Sequence, residues 1–196
     1  MNWETILCIG DSITIGARSY LGYPEYLGHF LQEKTGASWN VINLAVSGYN
    51  CRDIYRHLNN NYPMVNVQNP SVATILIGTN DLKQQTDIVA FRIAYEALIV
   101  KTKLLVSHNN IFLIKIPLLG VGVKYPYKFS MNEEIPKYNT IIGKLAKKYN
   151  FRTIELNTEA SEFYDGVHVN ESGSRSYAQQ ILKIILSEKG YEDITD

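Results

Sequence analysis

Residues Thr5-Ile6-Leu7-Cys8-Ile9-Gly10-Asp11-Ser12-Ile13-Thr14 hold the key to the fold. The run from Thr5 to Ile9 has no polar face, the pattern of a strand covered on both sides in a parallel sheet. Gly10 then lets the backbone turn sharply, and Ser12 emerges at the sheet edge. Four more short segments rich in Ile, Val and Leu read as strands: Asn40 to Leu44, Val72 to Ile77, Ile111 to Ile116 and Arg152 to Leu156. Longer segments with helical spacing lie between them. Pro24 to Glu33 places Tyr26, Leu27, Phe30 and Leu31 on one face. Asp87 to Ser107 carries Val89, Ile93, Leu98 and Leu105, and Asn132 to Tyr149 carries Ile135, Tyr138, Ile142 and Leu145. A last helix from about Ser172 to Glu188 carries Tyr177, Ile181, Ile184 and Ile185, stopping before Gly190. This alternation predicts right-handed βαβ crossovers and a three-layer α/β/α sandwich on a five-stranded parallel sheet.

The bulk properties restrict the function. At 196 residues the chain fits one domain, with no repeat or interdomain linker. Nineteen basic side chains balance nineteen acidic ones, so no field collects phosphates, and a nucleic-acid partner is not expected. Cys8 and Cys51 match no zinc or redox spacing and read as reduced, structural residues. His29, His57 and His108 fall in helical segments without clustered carboxylates or cysteines, so no metal site is expected. No stretch reaches the ~18 apolar residues of a membrane span. Glu4 stands where a signal peptide would be basic, and the apolar run after it is short, which predicts a cytoplasmic location.

In parallel α/β sheets ligands bind beyond the carboxyl ends of the strands, so the residues after each strand carry the functional information. Gly10-Asp11-Ser12 follows the first strand. A serine hydroxyl is a weak nucleophile and needs a base within hydrogen-bond reach; otherwise Asp and Ser there are turn or cap residues. Asn43-Leu44-Ala45-Val46-Ser47-Gly48-Tyr49-Asn50 follows the second, and Gly78-Thr79-Asn80-Asp81 the third. A backbone N–H from Gly48 and the amide of Asn80 are suitable donors for an oxyanion. The plainer reading makes Gly48 a turn glycine and Asn80-Asp81 a helix cap before Leu82, with Asp11 and Asp81 serving turns and caps. Asp165-Gly166-Val167-His168 lies beyond the last strand. Three-residue spacing in a turn can bring the carboxylate to one imidazole nitrogen and leave the other facing a serine. An ordinary imidazole, with a pKa of ~6.5, is largely neutral at pH 7 and can act as a base.

From Ile6 to about Leu182 the sequence resembles the SGNH hydrolases, also called GDSL esterases and lipases. The resemblance rests on GDSIT with Ser12, NLAVSGYN with Gly48, IGTND with Asn80, and DGVH with Asp165 and His168; Ile13 replaces a common leucine. It implies a flavodoxin-like SGNH hydrolase fold, with residues 1–196 as a single catalytic domain. It implies Ser12 as nucleophile, His168 as general base and Asp165 as its orienter. The Ser12 and Gly48 amides and the Asn80 side chain would form the oxyanion hole. The expected function is a carboxylic ester hydrolase working through an acyl-enzyme without metal or organic cofactor. A small-molecule or carbohydrate ester, with acetyl as the acyl group, is the expected substrate, since no lipid-binding helix or lid is evident. An acyltransferase, thioesterase or lysophospholipase would use the same residues, and a noncatalytic carbohydrate-binding domain would share the fold. The Pro117 to Ser130 connection, with Tyr125-Pro126-Tyr127, is long for such a fold and reads either as the wall of an acyl or sugar pocket, with the tyrosines as its apolar sides, or as an ordered surface loop.

Overall fold

In a computed structural model the described residues are 3–16, 20–106 and 110–188. Strands β1 (Trp3–Gly10), β2 (Ser38–Asn43), β3 (Val72–Leu76), β4 (Ile111–Ile114) and β5 (Arg152–Ile154) form one sheet in the order β2-β1-β3-β4-β5. Every pairing is parallel, with Ile6 opposite both Val41 and Val72, and Leu113 opposite both Ile75 and Thr153. This is the flavodoxin-like order, whose switch point lies between β1 and β3, where the chain leaves for opposite sides of the sheet.

Among the described residues seven α-helices accompany the strands: α1 (Ser12–Ile15), α2 (Tyr23–Thr35), α3 (Cys51–Val67), α4 (Thr79–Lys83), α5 (Ile88–Thr102), α6 (Ile135–Tyr149) and α7 (Glu171–Glu188). Alternation along the strands divides the core in two. Leu7, Ile9, Ala73, Ile75 and Leu113 pack with Ile54 and Leu58 of α3, Phe91 and Leu98 of α5, and Ile142 of α6. Ile6, Cys8, Val72, Phe112 and Ile114 turn the other way, onto Leu27 and Leu31 of α2 and Tyr177, Ile181 and Ile185 of α7. The expected three layers are therefore present.

Burial on both faces holds for β1, β3 and β4 beyond their first residues and fails at the edges. Every residue of β2 is partly exposed, and in β5 only Ile154 is buried. An edge strand has one neighbour and incomplete helix cover, so its side chains keep contact with water. The α5 face also differs from the expected one. Val89 and Ile93 are exposed, while Phe91, Tyr95, Leu98, Ile99 and Thr102 are buried. Its sequence, IVAFRIAYEALIVKT, is apolar nearly all round, so periodicity does not select a face. That helix ends at Thr102; Ser107 and His108 lie outside the described residues, as does Gly190 after the last helix. α6 starts at Ile135 and not at Asn132, because Pro136 suits a first helical turn and Phe129–Glu133 forms a 3₁₀ turn instead.

Helix α3 is the element whose limits the pattern did not reveal. It contains Asn59-Asn60-Asn61 and Pro63, all poor interior helix residues. Two acceptors secure its start: Asn50 Oδ1 receives the Asp53 N–H at 3.0 Å, and Asp81 Oδ2 receives the Cys51 N–H at 2.8 Å.

Candidate active site

Strand β1 delivers Ser12 to the carboxyl edge at the switch point. A Cβ on Gly10 would stand 2.0 Å from Thr14 Oγ1 and 2.6 Å from the Leu76 carbonyl oxygen, so α1 can fold back this closely only against glycine. Asp11 caps α1, its Oδ1 accepting from the Ile13 N–H at 3.0 Å. Ser12 opens the helix and remains partly exposed.

The Asp165–His168 turn meets that serine from 156 residues away. Asp165 Oδ1 accepts from the backbone N–H groups of Val167 and His168 at 3.0 and 2.8 Å. Its Oδ2 lies 2.8 Å from His168 Nδ1, and His168 Nε2 lies 2.8 Å from Ser12 Oγ. Burial works against charge on Asp165, but the His168 amide and ring and the Val167 amide outweigh it and hold the carboxyl below its usual range. An ionised carboxylate only accepts, so the Nδ1 proton points to Asp165, and in the neutral ring Nε2 accepts from the Ser12 hydroxyl. Gly166 has φ of 81°, and a Cβ there would press within 2.7 Å of the Val123 backbone. The turn is framed by an antiparallel bridge between Phe163 and Val169 and by the Tyr164 N–H donating to the His168 carbonyl at 2.8 Å.

Asn80 follows β3, buried in the first turn of α4. Its Nδ2 donates to the Tyr49 carbonyl at 3.0 Å and to Asp11 Oδ2 at 3.3 Å. These bonds join the loop of Gly48 and the Gly10–Ser12 segment to one amide. Gly48 sits exposed beside Tyr49, between β2 and α3. The capping role expected of Asp81 is redirected: it lies inside α4 and caps α3 instead, through Cys51. Asn80 likewise caps nothing. Asp11 does cap its own helix, and in addition accepts from Asn80.

Burial pushes the Asp11 carboxyl up to about 7, against the Ile13 amide and the nearby His168, which favour its charge. For an acid whose folded pKa lies above its unfolded value of ~3.9, the folded state holds the proton longer. Stability from this group is therefore fully present below about pH 4 and declines as pH rises to 7, by an amount on the order of 4 kcal/mol. Asp11→Asn keeps a capping oxygen and cannot ionise, so its urea midpoint should fall less than wild type's between those limits. An unchanged pH dependence would count against the assignment.

The long connection after β4 carries a residue that sequence reasoning misplaced. Tyr125 is 92% exposed and lines a shallow surface depression with Lys83 and Lys128, whereas Tyr127 is 9% exposed and donates its hydroxyl to Asn80 Oδ1 at 3.2 Å. A Tyr-Pro-Tyr triplet carries no local signal for a partner 47 residues away. An aromatic pair borders the other side: Tyr164, next to Asp165, meets Tyr20 edge-on with ring centres 5.8 Å apart, and both are exposed.

Elsewhere, Cys8 and Cys51 are free and buried, and burial raises the Cys8 thiol to about 12. His29 pairs with Glu33 at 3.3 Å, and His57 lies edge-on to Tyr49. Among the described residues no three His, Cys, Asp or Glu side chains gather as a metal site. Among them, too, no helix is long and apolar enough to cross a membrane.

Serine, histidine and aspartate are thus linked by hydrogen bonds at the carboxyl edge of an all-parallel five-stranded sheet. The family model of the GDSL-like lipases and acylhydrolases matches residues 8–175, and the chain belongs to that family. A multidomain esterase from Ruminococcus flavefaciens is 25% identical over 229 residues. The match takes in 97% of this chain and 29% of that esterase, so the chain spans under a third of its length. Among solved structures, an acetylxylan esterase from Geobacillus stearothermophilus superposes with a TM-score of 0.69 at 24% identity, covering 93% of this chain and 94% of that one. A lipase/acylhydrolase from Enterococcus faecalis gives 0.76 at 20% identity, covering 94% and 96%. At these identities the likeness is one of fold.

Proposed function

We propose that the protein is a serine esterase that removes small acyl groups, acetyl foremost, from a carbohydrate. The observation that carries this reading is the unbroken Asp165–His168–Ser12 hydrogen-bond chain, 2.8 Å at each ring nitrogen, beside Asn80 at the switch point of the sheet. Ser12 Oγ attacks the ester carbonyl carbon while His168 Nε2 takes its proton, and Asp165 stabilises the imidazolium. The carbonyl oxygen becomes an oxyanion received by the Ser12 and Gly48 amides and by Asn80 Nδ2. Collapse of the tetrahedral species breaks the bond to the alcohol, which departs with the proton from His168. Water then attacks the acyl-enzyme, gives a proton to His168, and releases the acid as Ser12 recovers its hydrogen.

The choice of substrate is supported by the acetylxylan esterase among the structural neighbours and by the exposed Tyr20–Tyr164 pair. Exposed aromatic faces next to the turn of Asp165 and His168 suit the C–H faces of sugar rings and offer little enclosure for a long acyl chain. A panel of acetyl, butyryl, octanoyl and palmitoyl p-nitrophenyl esters, run beside acetylated xylo-oligosaccharides, tests it. The acetyl esters are expected to give the highest kcat/KM, and a preference for palmitoyl would overturn the substrate assignment. Acylation of an added sugar outpacing release of free acid would make the enzyme a transferase.

A further inference from the structure

The Pro117–Ser130 connection touches both halves of the site. The Gly120 N–H donates to the Gly166 carbonyl at 2.7 Å, within the turn that carries Asp165 and His168. Two asparagines anchor its start to the 3₁₀ turn and α6: Asn139 bonds both N–H and C=O of Ile116, and Asn132 both of Leu119. Tyr127 then enters the interior and reaches Asn80, its ring lying 5.7 Å from Lys83 Nζ.

Asn80 is thus held on both ends of its carboxamide. The acceptors Tyr49 O and Asp11 Oδ2 face Nδ2, and the only side chain donating to Oδ1 among the described residues is Tyr127. We propose that Tyr127 is a positioning residue for ester hydrolysis, gripping Asn80 Oδ1 so that Nδ2 keeps one hydrogen on the Tyr49 carbonyl and turns the other, held by the longer 3.3 Å bond to Asp11 Oδ2 in the free protein, to the developing oxyanion. This rests on the esterase reading above. The physical reasons are two. A bond at Oδ1 adds a further point of attachment to a carboxamide whose flipped form would already set Oδ1 against the Tyr49 carbonyl, and so limits its rocking. It also polarises the amide, making each Nδ2 hydrogen a better donor, since linked hydrogen bonds strengthen one another. Burial, with Asp11 and Asp165 nearby, raises the phenol well above its ordinary value, so the hydroxyl keeps the hydrogen it donates.

Tyr127→Phe preserves the ring and deletes the donor. With p-nitrophenyl acetate, kcat is expected to fall about fivefold to tenfold with KM changed less than twofold, a fraction of the ~100-fold that follows loss of an oxyanion donor itself. Adding Tyr127→Phe to Asn80→Ala is expected to slow the enzyme no further, because the group it positions is gone. An unchanged kcat in Tyr127→Phe, or fully multiplicative losses in the double variant, would overturn the proposal while Asn80→Ala still tested the oxyanion hole. Wild-type rates in Asn80→Ala would instead remove the oxyanion assignment, and the proposal with it. NMR supplies an independent check: the Asn80 side-chain NH₂ protons should exchange with water more slowly in the wild type than in Tyr127→Phe, and equal exchange rates would refute the grip.

Discussion

Ser12→Ala is expected to abolish turnover of p-nitrophenyl acetate, lowering kcat by at least ~10⁴-fold, since loss of a nucleophile removes the acyl-enzyme route altogether. The fold should survive. Ser12 Oγ is partly exposed and its partner is His168 Nε2, which is 24% exposed with the rest of its side chain and can bond to water instead. Thermal midpoints of variant and wild type should therefore agree closely. The residual rate should reflect the remaining oxyanion donors acting on water. A fluorophosphonate probe should label the wild type at Ser12 and leave the alanine variant unmarked. Activity within tenfold of wild type would exclude Ser12 as the attacking group.

Asp165→Asn should come next in size, with kcat reduced by roughly 10³- to 10⁴-fold. The variant separates two duties of one side chain. Asp165 Oδ1 accepts two backbone N–H groups that shape the turn, and asparagine retains an oxygen there. At the other oxygen, facing His168 Nδ1, asparagine presents an NH₂ group. Nδ1 must then accept, the ring proton moves to Nε2, and Nε2 can no longer take the Ser12 proton. Asp165→Ala loses both duties, so it should lower stability by a further ~1 kcal/mol per lost hydrogen bond as well as activity. An asparagine variant as fast as wild type would show that the carboxylate does not set the tautomer.

The strand ends were legible in the sequence because the signals there are local. Continuous apolar runs bounded by Gly10, by Gly78 and by the Asp165–His168 turn report their environment within a few residues. What escaped was set by distant contacts. The start of α3 at Cys51 rests on the Asn50 cap together with Asp81, thirty residues on, which accepts its first N–H. The buried face of α5 is chosen by packing on the sheet, on Ile54 and Leu58 of α3 and on Tyr138 of α6, whose ring sits 4.8 Å from Phe91. Tyr127 donates a hydrogen bond to Asn80, and nothing near it in the chain distinguishes it from exposed Tyr125.

The opening stretch, Thr5 to Thr14, shows the division most clearly. By itself it determined a buried parallel strand, a tight turn at Gly10 and a serine at the carboxyl edge, since side-chain period, apolar content and backbone freedom are properties of consecutive residues. Only the tertiary structure decided what that serine meets. Strand order β2-β1-β3-β4-β5 sets Asn80 beside Asp11, and the turn after β5 carries His168 to 2.8 Å from Ser12. Such distances depend on how helices and sheet pack as whole surfaces, and packing sums contacts between residues far apart in the chain.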